Sequence, residues 1–546
     1  MSPPSTTECP AKWHGVQAAI DKQITAYKSA ILELRTRRND HAPISKLPVE
    51  LLEEIFVLAK LSVTRQFSYR SPGDRGGWLN VAQVCRNWRK ITLNAPRMWD
   101  ELNASRIRHL DWAIASLAYS QNAPLRVWCT DSESHWAILS VILAHMDRIQ
   151  HLDINSDSGR NSTVLLKIIE AIVVGAEVSP LILQSLHLHA RTSPLSSIDA
   201  ACEGIHHVLC TAQMPFLKTL EVIGFTLPPT IPIFSQLRQL SYTPPYHIVP
   251  SVSSILSILR STPSLRRLEI GGALETSNEV IDESTVVELP ELCSLSYTTT
   301  QFKGSSLFRQ IRYPPSVRVR FRSVISDDDG RITSCADDLK ALLSHIASDD
   351  NMLNIVNVSI SNPHGASLWM IVADRHGLVL NLHFELSSQP VHHTFKLSLM
   401  LPRSQAPIFY VSGFPSINKE DWETLFRRHE HVQKLVTEYV GSSCIQALLK
   451  PPAAEQPPFA QLKTLQLCQF DIELNVALVV HLLEERKQLG LPIDLLEIDQ
   501  CEITKDIVSR LEGYVKVEGD FVFDQDTQST GDKEDIGEDE SDEDED

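Results

Sequence analysis

One short pattern, apolar-x-x-Leu-x-apolar, returns along most of this chain and narrows what it can fold into. It reads IQHLDI from Ile149, LQSLHL from Leu183, LKTLEV from Leu217, LRQLSY from Leu237, LRRLEI from Leu265 and LCSLSY from Leu292. It comes back, once imperfectly, as VQKLVT from Val432, LKTLQL from Leu462 and IDLLEI from Ile493. The central leucines Leu186, Leu220, Leu240, Leu268 and Leu295 stand 34, 20, 28 and 27 residues apart, and Leu435, Leu465 and Leu496 follow at 30 and 31. Recurrence on this scale marks a solenoid, whose units cannot bury their apolar side alone and must stack. Apolar residues alternate within each copy, as in a strand with one face toward a core. SILSILRSTPSL from Ser254 to Leu265 and KEDWETLFRRHEHV from Lys419 to Val432 read as helices between strands. The latter opens on acidic residues, as a helix start should.

Strand plus helix at this period resembles a leucine-rich repeat. The Asn that family places shortly after the central Leu is missing: Phe225 and Phe470 take its position, and only Cys501 fits. From about Gln301 to Gly413 the runs VRVRFRSVI, LVLNLHFEL and TFKLSLML look like strands but the repeat is lost. They imply longer irregular repeats or a β-rich insert, with an unrelated α/β domain as the alternative. Residues 103–520 are therefore expected to form a degenerate leucine-rich-repeat-like α/β solenoid. Such a fold presents a long curved face suited to gripping another protein.

Composition excludes several classes. Hydrophobic residues are 43% and charged residues 22% of 546, so most of the chain can build a core. The most apolar run, LLKIIEAIVVGA from Leu165 to Ala176, is interrupted by Lys and Glu well short of a membrane span. The N-terminus lacks a basic start followed by an apolar run, so no signal peptide is expected. The 10 cysteines are scattered without a CxxC pair and read as reduced thiols of a cytosolic or nuclear protein. On that reading the sequons at Asn103, Asn161 and Asn357 are chance matches. Residues 524–546 carry 13 Asp/Glu against one Lys, −12 of the formal −18, which leaves −6 elsewhere. Residues 521–546 are expected to be a disordered acidic tail. Its role reads as a solubilising end in preference to a docking or phosphorylation segment around Ser541. With no basic stripe, nucleic acid is not expected as a main ligand.

Residues 1–43 form an N-terminal arm. Ile20, Ile24, Tyr27, Ile31 and Leu34 follow at steps of four, three, four and three, one apolar seam on a helix. Two heptads fall short of a coiled coil, which favours a helix folded back on its own domain. Weak self-association through the helix is the alternative.

Residues 44–102 carry more apolar side chains than two short helices can hide against each other. Pro48 suits a helix start, and Glu50, Glu53 and Glu54 suit its first turns. Leu51, Leu52, Ile55, Phe56, Leu58 and Ala59 then cover more than the roughly 100° stripe that one neighbour needs. Val81, Val84, Cys85, Trp88 and Ile91 recur at helical spacing, Asn94 to Pro96 ends the run, and Trp99 follows as a large anchor. A small unit with surplus apolar surface is expected to dock on something. The ordered set LP-x-ELL-x-x-IF, VC-x-x-W and APRMW resembles the F-box, the helical module by which substrate receptors join a cullin–RING ubiquitin ligase. The resemblance implies contact with a Skp-type adaptor through Leu47, Pro48, Leu51, Leu52, Ile55, Val84 and Cys85. It leaves Phe56, Trp88, Ile91 and Trp99 to hold the module together. The link from Lys60 to Gly77 is longer than is usual in the family.

Burying five such side chains yields about 7–15 kcal/mol, at about 1.5–3 each. Association costs on the order of 4–15 kcal/mol, so the module can support a complex.

No GxSxG elbow, phosphate-binding glycine loop or HExxH occurs, and ubiquitin transfer would fall to other subunits, so no catalytic residue, cofactor or metal is expected. His187 and His189 share one strand face, but no Cys or carboxylate is placed to complete a ligand set. SDDDG at 326–330 is a turn without the later ligands of a calcium loop. The expected protein is α+β and multi-domain: N-terminal helix, small helical F-box, irregular solenoid, acidic tail. Its expected function is a non-catalytic ligase substrate receptor. The alternative is a solenoid scaffold whose F-box-like unit is structural or binds another partner.

Overall fold

A computed structural model describes residues 10–66, 77–156, 162–178, 181–190, 198–229, 231–245, 248–275, 286–299, 305–314, 316–325, 355–362, 367–374, 377–386, 395, 397–399, 401, 403–451 and 456–520. The acidic tail and the SDDDG turn lie outside them. The chain divides into two compact units, Met1–Tyr246 and His247–Asp546.

In the first unit, helices α1 (Pro10–Asp40), α2 (Val49–Gln66), α3 (Val81–Val84) and α4 (Arg86–Asn94) precede a parallel ladder. Its strands are β1 (Glu101–Asn103), β2 (Leu125–Thr130), β3 (Ile149–Ser156), β4 (Ser185–Ala190), β5 (Thr219–Ile223) and β6 (Gln239–Thr243). Each pairs in parallel with the next in chain order. The repeats align on their central leucines: Leu152 faces Leu186, Leu186 faces Leu220, and Leu220 faces Leu240. These residues are all buried, as are Ile154, Leu188, Val222 and Tyr242 two places on, so one face of the ladder is core. Return segments supply the other half. Where the step is 34 residues there is room for a helix, α8 (Ile198–Thr211); where it is 20, only the 3-10 turn Pro232–Gln236 fits. Between them run α5 (Leu110–Tyr119), α6 (Trp136–Leu143) and α7 (Ser162–Val178), whose Leu165, Ile168 and Ile172 are buried.

The same register sets Asp153 beside His187 and His187 beside Glu221. Two carboxylates therefore do flank the histidine pair, because residues 34 apart in sequence become neighbours across strands. This corrects the expectation that no carboxylate is placed there.

The second unit holds β7 (Arg267–Gly271), β9 (Ser294–Thr299), β11 (Arg318–Ile325), β12 (Ile355–Ser361), β13 (Ser367–Asp374), β14 (Gly377–Leu386) and β15 (Ile408–Phe414). β16 (Lys434–Val440), β17 (Thr464–Cys468), β18 (Leu495–Asp499) and β19 (Lys516–Glu518) complete the sheet. β8 (Val287–Glu288) and β10 (Ile311–Arg312) pair separately. β7, β9, β11 and β14 are successive parallel neighbours, as are β12 and β15 to β19. Between them β13 lies antiparallel to both β14 and β12. The lost repeat is thus a β-rich insert threaded into the ladder. Of its three strand-like runs the last is not a strand, since Phe395, Leu397 and Ser398 are helical.

Helices here start as their sequences direct. Asn418 caps α11 (Lys419–Phe426) by accepting from Asp421 N–H at 2.8 Å, and Ser251 caps α9 (Val252–Arg260) by accepting from Ser254 N–H at 3.2 Å. α10 (Ser305–Arg309), α12 (Ser442–Gln446), α13 (Ile472–Gln488) and α14 (Lys505–Glu512) complete the helices used here.

The departure from the leucine-rich repeat has a backbone cause. Gly224, Gly272, Gly413, Tyr439, Gln469 and Gln500 all have positive φ, between 49 and 89 degrees. Each stands four residues after the central residue of its strand, Leu220, Leu268, Phe409, Leu435, Leu465 and Leu496. A left-handed residue there ends the alternation. In five of the six the next side chain, Phe225, Phe414, Val440, Phe470 or Cys501, is buried in place of the absent Asn. At Gly224 the bend also needs glycine for space: a Cβ would lie 2.3 Å from the Ala190 carbonyl oxygen. Gly224→Ala is expected to cost about 1–3 kcal/mol, read as a lowered thermal midpoint.

His429 gives the second unit a pH dependence. It is fully buried, with Nδ1 2.8 Å from Ser404 Oγ and its ring 4.8 Å from that of Phe409, while Nε2 has no hydrogen-bond partner. Burial first, and the Arg428 charge second, push its pKa down to about 3. The unfolded chain then binds a proton that the folded chain refuses. The stability that neutral His429 contributes is present above about pH 6.5 and is lost as pH falls toward 3. Between pH 7 and pH 5 the loss is about 2 kcal/mol. Urea midpoints of wild type and His429→Gln at both pH values check this, the variant being weaker at pH 7 but flatter.

Candidate protein-docking surface

The apolar surplus of residues 44–102 divides along one helix. Leu52, Phe56 and Val57 of α2 turn inward and form a core with Ile91, Ala95, Met98 and Trp99, against which Leu61, Leu79, Val81, Trp88 and Leu93 pack in part. The Phe56 and Trp88 rings meet at 4.8 Å. The indole N–H of Trp99 donates to the Thr92 carbonyl at 2.8 Å, and its ring lies 4.8 Å from Tyr119 and 5.7 Å from Trp112 of α5. Phe56, Trp88, Ile91 and Trp99 thus do hold the module together, and Trp99 also fastens it to the first helix of the ladder.

The opposite side of α2 is bare. Leu47, Leu51, Ile55 and Leu58, at steps of four, four and three, are 36%, 52%, 41% and 57% exposed. Val84 at the end of α3 is 57% exposed, and Pro48 is exposed beside Leu47. Leu52 is the correction: it is 1% exposed and belongs to the core, because adjacent residues on a helix point about 100° apart. Cys85 is half-buried and works locally, its Sγ accepting from Trp88 N–H at 3.4 Å as the cap of α4. The long link begins as helix, since α2 continues to Gln66, and its remainder lies outside the described residues.

Sequence reasoning missed Lys60. It is 2% exposed on the inward side, with Nζ 2.5 Å from Asp100 Oδ1, 3.9 Å from Glu101 Oε1, and donating to the Arg97 carbonyl at 3.0 Å. A buried ammonium requires partners of this kind. Here they clamp α2 to the entry of β1. The signal was present as a Lys at the i+4 position from Phe56.

The expectation for α1 also changes. Ile20, Ile24, Tyr27, Ile31 and Leu34 are all exposed, so the seam is not folded back on the chain.

Comparison with known proteins fits this geometry. The F-box-like family model matches residues 44–105. This module is an F-box-like domain. No curated protein matches the sequence. Among solved structures, the crystal structure of the Rad7 and Elc1 complex in yeast is similar at 12% identity. The match covers 84% of this chain and 97% of that one, and its TM-score of 0.26 is too low to bear on fold or function. Beyond the F-box-like domain, no helix among the described residues is long and apolar enough to cross a membrane.

Proposed function

We propose that this protein is a non-catalytic substrate receptor of a cullin–RING ubiquitin ligase, working in cytosol or nucleus. Its F-box-like domain docks a Skp-type adaptor through Leu47, Pro48, Leu51, Ile55 and Val84, and its parallel ladders grip a protein substrate. The observation that carries the reading is the divided helix: α2 has a complete core on one side and an uncovered row of aliphatic side chains on the other. Such a row is costly in water unless a partner covers it. The ladders support the second half of the reading because repeated strands offer an extended face in place of one deep pocket. Weak self-association through the exposed α1 seam belongs to the same reading.

The experiment is gel filtration of the full chain with purified Skp-type adaptor at micromolar concentration. Co-elution at one to one is expected. Separate elution of the two proteins under those conditions removes the proposal.

A further inference from the structure

We propose that His187, His189 and Glu221 form a site for one divalent transition-metal ion of the zinc class, with Asp153 and His151 beside it. The site lies in the first unit, on the ladder face opposite the leucine core, and does not depend on the adaptor reading. Parallel register puts Asp153, His187 and Glu221 in a row across β3, β4 and β5, with His189 two residues along β4. His187 Nδ1 is 3.4 Å from Glu221 Oε2 and 3.8 Å from Asp153 Oδ2, and His189 Nε2 is 3.2 Å from Glu221 Oε1. One ligand atom from each of His187, His189 and Glu221 falls within 4.8 Å of the others, and the same holds for His151, Asp153 and His187. A tetrahedral ion with bonds of about 2.1 Å separates its ligands by roughly 3.4 Å. The two shorter spacings already match that edge, and rotation about side-chain torsions closes the rest.

Three further observations favour an ion over an ordinary set of hydrogen bonds. The ligands are held from behind, as metal ligands generally are: His187 Nε2 lies 2.9 Å from Ser185 Oγ, and Asn155 Nδ2 donates to Asp153 Oδ1 at 3.4 Å. His151 packs edge-on against His187 at 4.8 Å, yet its buried Nε2 has no hydrogen-bond partner. The protonation states are also those a cation needs. Burial lowers the pKa of His187 and brings that of His151 down to about 4, while the hydrogen bond with His189, ahead of opposing burial, lowers that of Glu221. Neutral imidazoles beside an ionised carboxylate are the deprotonated ligands that metal binding requires. Two imidazoles and one carboxylate suit zinc, nickel, copper or iron and do not suit calcium or magnesium. Three protein ligands leave a coordination position for water or for a group on a protein lying against this face.

The test uses the full chain, stripped with chelator and then equilibrated with Zn²⁺ alone. About one Zn²⁺ retained per chain after gel filtration is expected. His187→Gln, His189→Gln and Glu221→Gln should each lower affinity tenfold or more, with unchanged circular dichroism, while His207→Gln and His431→Gln should not. X-ray absorption at the zinc edge of the wild type should read imidazole and oxygen without sulfur, which decides the site without any variant. No stoichiometric uptake by the wild type, a sulfur-bound ion, or cluster variants that bind as the wild type does would each overturn the proposal.

Discussion

Replacing Leu51 and Ile55 together by Asp is expected to abolish adaptor capture while leaving the thermal midpoint unchanged. Both side chains are about half exposed on the bare side of α2 and contribute nothing to the module's own core. Losing two aliphatic anchors removes about 3–6 kcal/mol of binding, roughly a 10²- to 10⁴-fold loss of affinity. Leu52→Asp is the contrast, because it places a carboxylate in the core and should lower stability and binding together. Adaptor capture by the double variant equal to wild type means that this row of side chains is not the docking surface.

Trp99→Ala is expected to cost about 3–5 kcal/mol of stability, the usual loss for a buried Trp. Its ring is 3% exposed, lies against Tyr119 and Trp112, and its N–H satisfies the Thr92 carbonyl. For a unit of this size the thermal midpoint should drop on the order of 10 °C. Adaptor binding at low temperature should survive, since no docking side chain is touched, and only the molecules that have unfolded should be lost. A midpoint within two or three degrees of wild type would refute the role assigned to Trp99 as the bolt between module and ladder.

These two variants mark where the sequence could be read and where it could not. That residues 44–102 carry surplus apolar surface followed from spacing alone, and the core residues Phe56, Trp88, Ile91 and Trp99 were legible with it. Which of two adjacent leucines turns outward was not legible, because a pattern such as LPxELL does not state the helix's rotation about its axis. The ladder was legible in its leucines, whose one period dictates one register. Its insert was not, since β13 runs antiparallel between strands far apart in the chain. The His–carboxylate cluster escaped for a related reason. Ligand spacing was sought along the chain, whereas here it runs across strands. Aligning the repeats on Leu152, Leu186 and Leu220 puts Asp153, His187 and Glu221 in one column, and that alignment was the available signal.

The left-handed residue that closes each strand has a consequence for how this chain can change over time. Because the strand is terminated locally, four positions beyond its leucine, whatever follows has no part in fixing the ladder. Segments of 20 to 34 residues already share one alignment. Lineages are therefore free to lengthen or trim the outer rim, and so to reshape what the protein meets, without disturbing the spine beneath it.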